Sequence, residues 1–304
     1  MTILLTGASG FVGSYVLKND DYDIRCVVRK KELNKFKSTF EVTNIDGETI
    51  WDGAFSQVDT VIHLAGLAHS KSLPSEAYQK VNVDGTLNLA LQAANAGVKR
   101  FVFVSSIGVN GISTQNKAFK FDSPEMPHNA YARSKYDAEV GLKKIALDTG
   151  LEIVIIRPTL VYGPDAPGNF GMLVRFVREM LFLPFGLAKN KRDFIAVQNL
   201  ANLLLTCATH DKAPGHIFLA SDGYAVSIKD FTNAVAKGLG KKVIQLPFPV
   251  FLMRLVGRLI RKSTIIEQLF GNLEVDSSNI KKVLGWSPPL TMEQAMSSLR
   301  FSDK

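Results

Sequence analysis

The chain has 304 residues, of which 46% are hydrophobic and 21% charged, values that are ordinary for a globular protein large enough to bury a substantial core. No apolar run approaches the ~18 residues that span a bilayer, and Cys26 and Cys207 lack the spacing of a disulfide framework or a metal site. The formal net charge of +8 is not accompanied by a nucleic-acid recognition motif, so we expect no nucleic-acid partner. From the two widely separated cysteines we expect no metal and a cytoplasmic location.

Apolar, β-rich runs alternate with helix-like runs through the first half of the chain. Strands are predicted at TILLT, IRCVV, TVIHLA, FVFVSS and EIVIIRP, and helices at SYVLKND, AYQKVNVDGTLNLALQAANAG and AYARSKYDAEVGLKKIALDTG. This alternation predicts an α/β fold with a Rossmann-like, doubly wound parallel sheet.

The pattern loosens after Pro158 into a Gly/Pro-rich loop, followed by short helices and an isolated strand, HIFLAS. We therefore expect a dinucleotide-binding domain over residues 1–164, with a return segment at about 193–224. A smaller, mostly C-terminal substrate-binding lobe is expected over about 165–192 and 225–304.

The first strand runs into TGASGFVG, which sets Gly7, Gly10 and Gly13 three residues apart before a predicted helix. Bare backbone at a strand-to-helix turn lets a diphosphate approach the unpaired N–H groups of the helix. Tight turns also use glycine freely, but the position of this turn favours dinucleotide binding.

Arg29 stands at the end of the second strand, where an NAD-binding fold usually has Asp or Glu, and Lys30 and Lys31 follow it. Basic side chains suit a 2′-phosphate, so the pattern favours NADP(H) over NAD(H). The alternative is a solvated run of charges.

The stretch YARSK puts Tyr131 and Lys135 four residues apart, on one face of a predicted helix. A nearby ammonium favours the phenolate and is expected to bring the pKa of the tyrosine closer to neutrality. Ser106, at the end of the FVFVSS strand, is placed to hydrogen-bond the substrate oxygen that Tyr131 protonates. The three residues are the predicted catalytic group of a hydride-transfer enzyme.

The chain resembles the extended short-chain dehydrogenase/reductase family, within the NAD-dependent epimerase/dehydratase group that acts on nucleotide sugars. The motifs TGASGFVG, VIHLAG, VNVDGT, GVKRFVFVSS, YARSK, RPTLVYGP and RDFIAVQNLA come in the order and at the spacing of that family. Two positions depart from its pattern: Asn110 replaces the tyrosine of the usual VYG, and Asn44 stands where the family has an acidic adenine contact.

The resemblance implies the remaining site residues. With Arg29, the expected cofactor-binding residues are Gly7, Ser9, Gly10, Phe11, Val12, Gly13, Asn44, Ile45, Leu64, Ala65, Gly66, Asn82, Tyr131, Lys135 and Pro158. The expected substrate-binding residues are His69, Ser106, Asn169 and Arg192. Of these, His69 lies in a loop and is either a sugar contact or a surface or packing residue.

Ile107 and Gly108 occupy the places of the acid pair used by the family's 4,6-dehydratases, and neither transfers protons. Two chemistries remain, 4-epimerisation and one-way reduction of a 4-ketosugar, and the Arg29 cluster favours reduction. The overall sequence resembles bacterial enzymes of surface-polysaccharide synthesis that make UDP-N-acetylquinovosamine, which implies a UDP-4-keto-6-deoxy-N-acetylhexosamine as the substrate. The alternative is a UDP-sugar 4-epimerase, with UDP-glucose or UDP-N-acetylglucosamine as substrate. A steroid-type dehydrogenase and a non-catalytic dinucleotide-binding scaffold are more distant alternatives.

Two surfaces suggest partners. The helices over 77–96 and 131–148 resemble those that form the family's dimer, so a homodimer is expected. The segment 241–262 has six Lys or Arg and no acid, with Arg254, Arg258 and Arg261 at helical spacing. It is either the solvated face of a packed helix or a weak contact with an anionic membrane surface.

Overall fold

The computed structural model describes residues 1–68, 73–259 and 263–301. Its strands are β1 (Thr2–Thr6), β2 (Asp23–Val28), β3 (Thr39–Glu41), β4 (Thr60–His63), β5 (Arg100–Val104), β6 (Glu152–Pro158), β7 (Leu160–Tyr162), β8 (Phe182–Leu183), β9 (Phe194–Ala196), β10 (Ile217–Ala220) and β11 (Ile244–Gln245). Seven of them form a parallel sheet in the order β3-β2-β1-β4-β5-β6-β10. The predicted α/β fold with a doubly wound parallel sheet is confirmed.

The helices are α1 (Phe11–Val16), α2 (Ser75–Tyr78), α3 (Gly85–Asn95), α4 (Ala130–Thr149), α5 (Gly168–Glu179), α6 (Val197–Thr209), α7 (Ile228–Gly238), α8 (Val250–Leu259), α9 (Ser263–Phe270), α10 (Ser278–Leu284) and α11 (Met292–Ser297). One face of the sheet packs against α1 and α6, and the other against α3 and α4. The strands are buried on both faces, which explains their continuous apolar runs.

Two predicted elements differ from the structure. The segment 77–97 is not one helix, because a π-helical turn at Gln79–Asp84 separates α2 from α3. The strand within HIFLAS is not isolated, since β10 pairs in parallel with β6 and completes the edge of the central sheet. The strand lies within the expected return segment at about 193–224, and β10 rejoins the sheet after an excursion of more than fifty residues from β6.

A second apolar core lies outside the sheet. It is formed by α5, α7 and α11 with aromatic side chains at its centre, where the rings of Phe194 and Phe231 stack 3.8 Å apart. The short strand pairs β7–β9 and β8–β11 border this core. The boundaries of the two lobes given by the sequence stay a prediction.

No helix in the described part of the chain has both the length and the apolar character needed to cross a membrane.

Candidate active site

The glycine turn joins β1 to α1 where the strand order reverses, between β1 and β4. Gly7 has a φ of +73°, and a Cβ there would lie 2.9 Å from the amide nitrogen of Ala65. A Cβ on Gly13 would overlap the carbonyl oxygen of Gly7. Gly10 caps α1 without a side-chain bond. The turn is thus a cradle of bare backbone at the position where doubly wound sheets bind dinucleotides, and it fits a diphosphate.

The turn packs directly against the loop that follows β4. Leu64 and Ala65 contact Gly7, and a Cβ on Gly66 would lie 3.0 Å from Asn82 Oδ1 and 3.5 Å from Lys135 Nζ. Asn82, in the π-helical turn, accepts from the Leu67 amide at 2.7 Å and donates to the Leu67 carbonyl at 3.1 Å. It also donates to Ser134 on α4, so one amide side chain ties the loop to the predicted catalytic helix.

The other residues expected at the cofactor are spread along the same edge of the sheet. Phe11 and Val12 lie on α1, half-buried against the two apolar cores that flank it. Pro158 ends β6 opposite Ala220. Asn44 is exposed, and the Ile45 backbone packs on Gly85.

The end of β2 is built differently from the sequence-based expectation. The Arg29 side chain is 63% exposed, and its Nε lies 3.8 Å from Glu32 Oε2. Glu32 is buried and hydrogen-bonded to the Ser9 side chain of the glycine turn, which is the first cause of its lowered pKa. A carboxylate therefore stands between the turn and the second strand, with the arginine outside it. Glu32 was missed because it comes three residues after the usual position.

Ser106, Tyr131 and Lys135 meet at the carboxyl end of β5. Ser106 and Tyr131 are hydrogen-bonded through their hydroxyls. Ser106 Oγ also accepts from the Gly108 amide at 3.0 Å, so the serine proton is available to the oxygen of Tyr131 or of a ligand. Lys135 is buried and donates from Nζ to the Val104 carbonyl at 2.9 Å. The structure brings Ser106 and Tyr131 into contact and places Lys135 one turn after Tyr131 on α4, bonded to the last residue of β5.

The pKa of Tyr131 is raised, mainly by burial and further by Tyr78, while the Ser106 bond lowers it. The expectation of a pKa nearer neutrality is wrong for this structure, because desolvation of the phenolate outweighs the other effects. Burial also lowers the pKa of Lys135 to about 8, although Glu139 one turn away raises it. At neutral pH the tyrosine is a protonated phenol, poised to donate.

Asn169 and Arg192 meet the same short segment. Asn169 Nδ2 donates to Gln268 Oε1 at 3.2 Å, and Arg192 Nη1 donates to the Gly271 carbonyl at 3.1 Å. Burial lowers the pKa of Arg192 to about 10, and no carboxylate of the described residues forms an ion pair with it. His69 lies outside the residues that the structure describes.

The family model for NAD-dependent epimerases/dehydratases matches residues 3–220. The chain belongs to this family. A UDP-glucose 4-epimerase from Vibrio cholerae is 41% identical over 96% of this chain and 92% of its own length. A 4-epimerase from Escherichia coli O157:H7, named for N-acetyl-α-D-glucosaminyl-diphospho-ditrans,octacis-undecaprenol, is 27% identical over 97% of the chain and 92% of its own length.

Solved structures show the same fold. The UDP-glucose 4-epimerase of Thermotoga maritima, solved with UDP-glucose, superposes with a TM-score of 0.78 at 23% identity, covering 99% of this chain and 98% of its own. The UDP-glucuronic acid 4-epimerase of Bacillus cereus, solved with NAD, gives a TM-score of 0.77 at 20% identity, with full coverage of both chains.

The departure at Asn110 has a structural reason. Asn110 is buried, and its Oδ1 accepts from Arg157 Nη1 at 3.0 Å. Arg157 in turn forms a buried ion pair with Glu139 on α4, at 2.6 Å between Nη2 and Oε2. In this member of the epimerase/dehydratase family, an amide thus satisfies one edge of a buried guanidinium.

His63, in the family motif VIHLAG, belongs to a buried chain of hydrogen bonds. Its Nδ1 lies 2.7 Å from Thr6 Oγ1, and its Nε2 lies 3.0 Å from Thr86 Oγ1. Thr86 donates to the Asn82 carbonyl, and Thr6 accepts from the Ala65 amide. These directions make Nε2 the protonated nitrogen of a neutral imidazole. Burial, reinforced by Lys135, lowers its pKa to about 3.

This histidine predicts a loss of stability in mild acid. The unfolded chain takes up a proton as pH falls through about 6.5, whereas folded His63 stays neutral until about 3. Its contribution is therefore complete above pH ~6.5 and is lost progressively as pH falls towards 3. Between pH ~7 and ~5, the native chain should lose about 2 kcal/mol more of its unfolding free energy than His63→Asn does. Denaturant titrations at both pH values check this, and equal losses in the two chains would contradict it.

Proposed function

We propose that this protein is an NAD-dependent UDP-sugar 4-epimerase that acts in the cytoplasm. The observation that carries the proposal is the group formed by Ser106, Tyr131 and Lys135 beside a glycine cradle. Support comes from the relative that is 41% identical over nearly the full chain, which is a UDP-glucose 4-epimerase. One-way reduction of a 4-ketosugar, which the sequence favoured, depended on Arg29, and that side chain is largely exposed.

In the proposed reaction the C4 hydroxyl is oxidised, the ketosugar turns over, and its other face is reduced. The glycine turn would hold a dinucleotide, which would supply the acceptor and donor of the hydride. The Tyr131 phenol must first lose its proton to solvent; the phenolate then takes the hydroxyl proton in the first half and donates it back to the ketone oxygen in the second. Ser106 hydrogen-bonds the same oxygen, and Lys135, held on the Val104 carbonyl, supplies positive charge near the phenolate.

We expect UDP-glucose or UDP-N-acetylglucosamine to be converted to its C4 epimer without added cofactor. Tyr131→Phe should keep the fold but lower kcat by about 10²-fold or more, because the proton donor is removed. Product formation is followed by chromatography of the two UDP-sugars, with Tyr22→Phe, in the loop between the end of α1 and β2, as the control. Turnover only of a UDP-4-ketosugar supplied with reduced dinucleotide would make the protein a reductase instead.

For the cofactor, we propose that Glu32 selects NAD over NADP. The adenosine ribose of a dinucleotide lies between the glycine turn and the end of the second strand. There the Glu32 carboxylate is fixed by Ser9, positioned to accept from a ribose hydroxyl. A 2′-phosphate would meet this negative charge at close range, which costs about 1 to 4 kcal/mol near a protein surface.

The native protein, freed of bound nucleotide, should bind NADH at least ~10-fold more tightly than NADPH. Glu32→Gln should reduce the ratio of NADH affinity to NADPH affinity, since it removes the repelling charge, whereas Arg29→Ala should change this ratio little. Fluorescence titrations of the three proteins provide the measurement. If Arg29→Ala selectively weakens NADPH and Glu32→Gln has no effect, the original interpretation of the Arg29 cluster is correct.

We propose that Arg192 and Asn169 hold the nucleotide diphosphate. The guanidinium of Arg192 is partly buried and donates a hydrogen bond to the Gly271 carbonyl, and its other N–H groups can donate to anionic oxygens. The lowered pKa of Arg192 means that its positive charge is poorly solvated, so an anionic ligand would stabilise the charged form.

Arg192→Ala should therefore weaken UDP binding by roughly 10- to 150-fold, the effect of losing about 1.5 to 3 kcal/mol from a charged hydrogen bond. Lys191→Ala is the matched control, because its side chain is 67% exposed. Calorimetric titration with UDP decides: a dissociation constant equal to that of the native protein would remove Arg192 from the site.

We propose that the protein forms a homodimer through α3 and α4. Leu91, Val140 and Leu147 are exposed on these helices, and burying such apolar side chains against a second copy is favourable. The proposed lobes keep the boundaries given by the sequence, with the sugar held between them.

A further inference from the structure

The exposed apolar side chains of the chain are concentrated in one place. Of the 21 large hydrophobic residues that are exposed among the described ones, ten fall within residues 180–187 and 244–259. They are Met180, Leu181, Phe182, Leu187, Ile244, Leu246, Phe248, Phe251, Leu255 and Leu259. We call this set the apolar patch. Exposed patches of this extent mark interaction sites.

The two segments of the patch are joined by backbone pairing. Ile244 of β11 pairs with Phe182 of β8, so their side chains stand next to each other on the outer side of the strand pair. The Gly186 amide donates to the Leu246 carbonyl, which places Leu187 close to the same strand. The patch is therefore continuous across the two strands.

Helix α8 extends the patch and is apolar on both sides. Val250 and Met253 pack on the core of the lobe, and Gly257 contacts Ile266. Phe251, Leu255 and Leu259 follow one another at four-residue intervals on the other side and are 68%, 51% and 75% exposed. The outer face of this packed helix therefore carries exposed apolar side chains beside its arginines, rather than charged residues alone.

Positive charge accompanies the second segment of the patch. Residues 241–259 contain Lys241, Lys242, Arg254 and Arg258 and no acidic residue. Arg254 is paired with Glu267, and Lys241 caps the carbonyls at the end of α5. Lys242 and Arg258 are exposed, and neither has an ion-pair partner in the described part of the chain. Aromatic and aliphatic side chains flanked by unpaired cations are the composition of a surface that inserts between anionic lipid headgroups.

We propose that the apolar patch and its basic rim dock this protein on an anionic phospholipid bilayer. A second copy of the chain is a poorer occupant, because a two-fold contact joins the same surface of both copies and would bring together two rims that carry unpaired cations. Helix α9 links the docked surface to the candidate site: Glu267 pairs with Arg254 of α8, and the next residue, Gln268, bonds Asn169. Docking thus brings the sugar-binding side of the lobe close to the membrane surface.

Vesicle co-sedimentation tests the proposal. The full chain is mixed with phosphatidylcholine vesicles, with or without about 30% phosphatidylglycerol, at about 0.05 and 0.5 M salt. We expect binding to the anionic vesicles to be at least ~10-fold tighter than to the neutral ones, and to fall at high salt because the attraction is screened.

Leu255→Ser/Arg258→Glu should weaken that binding by about ten-fold or more, because it removes an inserted side chain and reverses a charge. Phe251→Ser/Lys242→Glu provides a second, independent variant. The matched control is Ile50→Ser/Lys117→Glu, which makes the same types of change at two exposed residues outside the patch and should bind as the native chain does. Thermal midpoints establish that all variants are folded.

Equal binding to neutral and anionic vesicles, or native binding by both patch variants, would overturn the proposal. So would a patch variant that breaks up an oligomer of the native chain in light scattering, since the patch would then be a contact between proteins.

Discussion

The buried ion pair between Arg157 and Glu139 is the contact on which the geometry of the candidate site depends. Arg157 is the next-to-last residue of β6 and Glu139 lies on α4, both fully buried, so this pair sets the rotation of α4 against the sheet. Lys135 is one turn before Glu139 and therefore takes its direction from the same contact. Two buried charges are expensive to desolvate, and Ser105, Asn110 and Glu125 supply the hydrogen bonds that offset this expense.

Burial then determines the protonation of the site. Glu139 is neutralised by Arg157, so it restores only part of the basicity that Lys135 loses by desolvation, and the pKa of the lysine stays near 8. Tyr131 keeps its proton for the same reason, since its phenolate would be charged in a poorly solvated place. Lys135 thus has a pKa close to neutral pH, and Tyr131 has a raised pKa. This combination suits a reaction in which the same substrate oxygen is deprotonated and reprotonated in each cycle.

The sequence was sufficient to predict the elements that are determined by local hydrophobic periodicity and by glycine at helix ends. The strands that form the centre of the sheet and the long helix carrying Tyr131 follow from apolar runs and from Gly150, which ends α4 in a left-handed conformation. The π-helical turn before α3 was not predictable, since Asn82 is turned inward by contacts with Leu67 and Ser134 that are distant in sequence. Glu32 could be found only once the fold had placed it against Ser9, because no spacing rule links a residue after the second strand to one before the first helix.

The proposed epimerisation would require one end of the substrate to be held and the other to turn, and the structure contains a rigid element suited to the first requirement. The sugar has to present both of its faces to the same hydride position, so it must turn while the diphosphate is held. Arg192 is suited to hold it, because its backbone bridges both Val226 and Leu273. Leu273 packs with Ile107, the residue after Ser106. The proposed diphosphate anchor and the hydroxyl that meets C4 are therefore fixed to one another through a few buried contacts, which leaves the sugar between them as the part that is free to rotate.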